Sequence, residues 1–96
     1  MIDKKEIENI LKKYRSYLKD NYYVERIGLF GSFSRGEQTP ESDIDIIVEF
    51  NGSVGWKFFT LKDFLENILG KKIDLVTKNS IRDEMKAEIL DQVIYI

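Results

Sequence analysis

Ile7, Ile10, Leu11, Tyr14, Tyr17 and Leu18 recur at the spacing that gives a helix one apolar face, and predict an amphipathic helix over residues 4–20. Asp3 stands where a cap is needed, Glu6 completes a capping box, and Asp20-Asn21 ends the segment. The period then changes. Val24 to Phe30 is apolar and rich in β-branched residues, the pattern of a strand, and it runs into Gly31-Ser32. Ser32 to Gly36 has room for one helical turn, and Glu37 to Ser42, with the single proline Pro40, reads as a loop. Asp43 to Phe50 forms a second strand and Asn51 to Gly55 a polar turn. From Trp56 to Leu69 the residues Phe58, Leu61, Leu65, Ile68 and Leu69 mark another helix, which Gly70 stops. Lys72 to Thr77 is a third strand. Ser80 caps a last helix reaching Gln92, with Ile81, Met85, Ile89 and Leu90 inward, and Val93 to Ile96 is a short fourth strand.

Strands that alternate with helices in this order predict an α/β (α+β) fold in which a small mixed sheet packs against helices. There are no repeats, low-complexity tracts or linkers, so residues 1–96 are expected to form a single domain. With 43% hydrophobic and 33% charged residues the chain is globular in composition, with enough apolar surface for one modest core. No segment approaches the ~20 apolar residues of a membrane span, and the charged start Met-Ile-Asp-Lys-Lys-Glu lacks the apolar centre of a signal peptide. Cytoplasmic residence without a membrane is the expectation.

Two absences narrow the chemistry. Without cysteine, disulfides, thiolate nucleophiles and cysteine-held metals are impossible; without histidine, the commonest general base is gone. What is left is carboxylates, hydroxyls, Lys, Arg and a hard cation, which favours oxygen ligands. The net charge of −2 argues against stable nucleic-acid binding. Lys4, Lys5, Lys12, Lys13 and Arg15 are interleaved with Glu6 and Glu8 and read as a solvated helix face.

The candidate chemistry lies in Gly31-Ser32-Phe33-Ser34-Arg35-Gly36 and Ser42-Asp43-Ile44-Asp45. A glycine following a strand lets backbone N–H groups face an anion, Ser32 adds a hydroxyl, and Arg35 can reach the same region. Alone, such a segment is also an ordinary turn and cap. Side chains of a strand alternate faces, so Asp43 and Asp45 project together, their Cα atoms ~6.6 Å apart at ~3.3 Å per residue. Two like charges there repel unless a cation lies between them, or unless the strand simply shows both to water. Asp74 interrupts the apolar strand Ile73-Asp74-Leu75-Val76 and is the candidate third acid.

These segments, together with Ile46-Ile47-Val48 and Lys72-Ile73-Asp74-Leu75-Val76, resemble the minimal nucleotidyltransferases (MNT) of the DNA polymerase beta superfamily, over Val24 to the C-terminus. The resemblance implies that Gly31 and Ser32 hold a nucleoside triphosphate, ATP above all, with Arg35 assisting. It implies that Asp43, Asp45 and Asp74 are the catalytic acids and ligate two Mg2+ ions. It also implies an antitoxin of the HEPN–MNT type, in which AMP passes to a tyrosine of the HEPN toxin. The catalytic core is expected to account for the whole of these residues, so a second protein is expected to present the acceptor or to be it. Inhibition of a toxin by occlusion and modification of a small molecule such as an antibiotic are the alternatives.

Trp56, Phe59 and Phe64 fall off the main stripe of their helix, and Tyr22 and Tyr23 flank the first strand, so these aromatics are candidates for a binding surface. The last strand reads as an edge suited to self-association or to pairing with a partner.

Overall fold

The structure, a computed structural model, describes residues 2–96. Helices α1 (Lys4–Lys13) and α2 (Arg15–Tyr22) lead into strand β1 (Val24–Phe30) and a single helical turn, α3 (Ser32–Arg35). Strand β2 (Ile44–Phe50), helix α4 (Lys57–Leu69), strand β3 (Ile73–Thr77), helix α5 (Asp83–Gln92) and strand β4 (Ile94–Tyr95) complete the fold. The four strands form one sheet in the order β3-β2-β1-β4. β1 runs antiparallel to both β2 and β4, while β2 and β3 are parallel, so the sheet is mixed as expected. The parallel pair requires a crossover, which α4 provides. Among the described residues no helix is long and apolar enough to cross a membrane.

Alternation along the strands divides the core in two. Ile44, Ile46 and Val48 of β2, with Ile27 and Leu29 of β1, face Ile7 and Leu11 of α1 and Leu61 and Leu65 of α4 in one buried cluster. The intervening residues point the other way. Phe30 and Ile47 meet Ile81 and the partly buried Ile89 and Leu90 of α5. β2 is therefore covered on both faces, which is why it reads as a nearly continuous apolar run broken at Asp45.

The long first helix of the periodicity is in fact two. Tyr14 leaves helical geometry (φ −97°, ψ 8°), and the chain re-enters a helix at Arg15. Apolar spacing survives so small a bend, so the pattern could not reveal it. Packing explains it. Tyr14, Tyr17 and Tyr22 gather around Phe64 of α4, with Tyr17 and Phe64 stacked at 4.9 Å between ring centres. Phe64 and Tyr22 are thus partly buried in a cluster at the surface, in which Tyr17 stays exposed. Trp56, Phe59 and Tyr23 do remain exposed.

The last helix also starts later than the sequence suggests. Ser80 caps nothing there: it closes a short 3-10 turn, Lys78–Ser80, by exchanging hydrogen bonds with Thr77. The helix begins at Asp83 behind Arg82. Met85, expected inward, is exposed.

β4 is held tightly for so short a strand. Gly28 lies opposite Tyr95, and the Ile96 N–H donates to the Ile27 carbonyl at 2.9 Å. A Cβ on Gly28 would run into Val93 Cγ1 and come within 3.1 Å of Tyr95. Gly28→Ala is accordingly expected to cost about 1–3 kcal/mol, the usual penalty of overpacking. Faster hydrogen exchange at the Ile96 amide would show that the loss falls on β4.

Candidate active site

The site forms where β1 ends. Gly31 has φ +73° and ψ −150°, a backbone open to glycine and strained for other residues. Its carbonyl accepts from Ser34 Oγ at 2.9 Å and from the Arg35 N–H at 3.2 Å, which closes α3 into a tight turn. The two serines of the turn therefore divide their work. Ser34 is spent inside it, whereas Ser32 lines a cleft of about 360 Å³ together with Gly31, Arg35 and Asp45.

Strand register brings the acids to this turn. Phe30 lies opposite Asp45 across the β1–β2 pair, which sets Gly31 against the Asp45 carboxylate. Across the parallel pair Asp45 stands directly beside Asp74. Asp43 precedes β2 by one residue and is exposed, and Asp74 is exposed as well, while the partly buried Asp45 is the one of the three that lines the cleft.

The electrostatics reflect this crowding. The Asp45 carboxyl is pushed up from 3.8 to about 6. Burial is the main cause, followed by the negative charges of Asp74 and Asp43 and a hydrogen bond with Asp74 that only a protonated carboxyl can donate; Arg35 pulls the other way. Both remaining acids thus act on Asp45. Among the described residues, however, no three acidic side chains are drawn together closely enough to hold a metal ion as they stand. The donor set is still the right one for Mg2+, being wholly carboxylate oxygen, and Mg2+ retains waters and takes phosphate oxygens rather than filling an all-protein cage.

The opposite wall of the cleft is α5, through Met85, Glu88, Ile89 and Gln92. Sequence reasoning missed this wall. Its signal was nonetheless present: the four residues fall at i, i+3, i+4 and i+7, one helix face, and that face mixes apolar with polar side chains. A face built only for the core would not carry Glu88 and Gln92. Arg35, the one cation of the turn, is tied across the cleft, with Nη1 donating to Gln92 Oε1 at 2.8 Å and Nε to Glu37 Oε1 at 2.7 Å.

The Gly31–Ser32 turn thus closes on Asp45, with Asp43 just before that strand and Asp74 on the neighbouring one. The chain belongs to the nucleotidyltransferase domain family, whose sequence pattern matches residues 11–96. It is 38% identical to the protein adenylyltransferase MntA of Thermococcus cleftensis, over all of this chain and 98% of that one. Among solved structures, one described as a candidate minimal nucleotidyltransferase superposes with a TM-score of 0.82 at 28% identity, covering 97% of this chain and 95% of the other. A toxin–antitoxin structure with AMP-PNP gives a TM-score of 0.73 at 31% identity over 92% of this chain and 70% of that one. A complex of a tri-AMPylated HEPN toxin of Shewanella oneidensis with its MNT antitoxin gives 0.65 at 25% identity, over 93% and 70%.

Proposed function

We propose that this protein transfers AMP from ATP to a tyrosine hydroxyl of a HEPN toxin and is the antitoxin of that pair. The observation that carries the reading is the register that sets Asp45 beside Asp74 and against the Gly31 turn. That arrangement supports a reading in which the turn holds phosphates with Asp45, and Asp74 next to it, at its side, as a nucleoside triphosphate requires.

In this reading the exposed backbone of the Gly31–Ser32 turn and the Ser32 hydroxyl hold the outer phosphates, and Arg35 adds a charged donor. Asp43, Asp45 and Asp74 would hold Mg2+, two ions in all, which supplies charge neutralisation at the phosphates and lowers the pKa of the attacking hydroxyl. The acceptor oxygen bonds to the α-phosphorus as the bond to the bridging oxygen breaks, and pyrophosphate leaves. Asp74, exposed on β3 and on the side away from the turn, takes the hydroxyl proton. The relatives support the acceptor class: one is named a protein adenylyltransferase, and another stands in complex with an AMPylated HEPN toxin.

The test is incubation of the purified protein with α-labelled ATP, Mg2+ and its co-encoded partner. Label is expected on a partner tyrosine, with equimolar pyrophosphate released. A partner inhibited without acquiring label would instead establish inhibition by occlusion. Label on a small molecule in place of the protein would establish that acceptor class.

A further inference from the structure

The contact between Arg35 and Gln92 joins residues 57 positions apart, the largest separation among the side-chain bonds of the site. A guanidinium is a rigid plane with five donor hydrogens. Here Nε is anchored on Glu37 and Nη1 on Gln92, which fixes the plane; among the described residues Nη2 makes no hydrogen bond. The two anchors differ in kind. Glu37 is well exposed, and an ion pair in that setting is weak. Gln92 lies in the cleft wall and offers an amide carbonyl, which orients the guanidinium without cancelling its charge.

We propose that Gln92 is a positioning residue for the nucleotide: its side-chain carbonyl holds Arg35 at the mouth of the Gly31–Ser32 turn with Nη2 directed to the triphosphate. The last turn of α5 thereby becomes part of the nucleotide site through a residue that need not touch the nucleotide itself. A side chain held in place beforehand loses less freedom when the ligand arrives, so the gain falls on binding. The proposal rests on the nucleotidyl-transfer reading above and makes a separate claim within it.

The experiment measures AMP-PNP binding with Mg2+ by calorimetry, and KM for ATP and kcat with the partner, in four proteins: wild type, Arg35→Ala, Gln92→Ala and the double variant. Gln92→Ala is expected to weaken AMP-PNP binding and raise KM roughly three- to tenfold, about the net value of one ordinary hydrogen bond, with kcat near wild type. In the Arg35→Ala background the same change is expected to add nothing. Gln92→Glu keeps the anchor but cancels the charge, and is expected to weaken binding as well. A merely structural loss at the end of α5 would persist in the Arg35→Ala background, and an additive double variant would overturn the proposal. So would unchanged binding by Gln92→Ala where Arg35→Ala weakens it, an outcome that leaves the nucleotidyltransferase reading standing. Absence of AMP-PNP binding by the wild type would sink both.

Discussion

Replacing Asp45 with asparagine is expected to abolish nucleotide transfer while making the unliganded protein more stable at neutral pH. The two effects have one origin. Asp45 is partly buried between Asp74 and Asp43, and its carboxyl is raised from 3.8 to about 6. A group whose folded pKa lies above its unfolded value favours folding while it is protonated. That contribution is complete below about pH 4 and is lost as the pH rises through about 6, so at neutral pH the ionised Asp45 works against the fold. The full difference corresponds to about 3 kcal/mol. Solvent screening at a partly exposed side chain reduces this to about 1–2 kcal/mol. Asparagine keeps the shape and removes the charge. Its melting temperature should exceed that of wild type by several degrees at pH 7.5, at about 4–8 °C per kcal/mol for a domain this small, and the gap should close by pH 4. Transfer should fall at least about a hundredfold, the loss seen when a single preorganised group is removed from a transition-state site. Mg2+ should raise the melting temperature of wild type and not of Asp45→Asn. A variant that retained transfer, or that melted lower at every pH, would show that Asp45 is a structural acid.

That Asp43 and Asp45 are close enough for their charges to interact was legible in the sequence, since they stand two residues apart with Ile44 and Ile46 going to the core. β2 nevertheless begins only at Ile44, which leaves Asp43 just outside the strand expected to carry both. Asp74 was legible as an anomaly, an acid within an apolar strand, but its place beside Asp45 was not. That depends on the register of a parallel pair set by the crossover through α4, and no short-range signal encodes such a register. The Arg35–Gln92 contact was out of reach for the same reason, since it depends on where α5 lands after the sheet is complete. Errors at Tyr14 and Ser80 were of a smaller kind. There, one side chain's packing and one local hydroxyl exchange outweighed a sound periodic pattern.

Gly31→Ala is expected to have the second large effect, through the backbone and the acids together. Alanine at φ +73°, ψ −150° would carry strain of about 1–3 kcal/mol, because that region is essentially reserved for glycine. A Cβ there would also fall on the Asp45 carboxylate, 2.9 Å from Cγ. Either the turn opens, which disperses the donors of Gly31 and Ser32, or Asp45 swings away from its place beside Asp74. Both routes misplace reacting groups by about an ångström, a displacement that can cost about a hundredfold in rate. Ser32→Ala is the matched control. It removes one hydroxyl that, among the described residues, makes no hydrogen bond, and leaves Gly31 and Asp45 in place, so its loss should be confined to nucleotide affinity, with the melting temperature held. Gly31→Ala should lower both kcat and the melting temperature, and the two losses should be separable at low temperature, where the variant is fully folded yet still slow. If the folded variant instead transfers AMP at the wild-type rate, the close approach of the turn to Asp45 serves packing alone, and the phosphates must be held elsewhere.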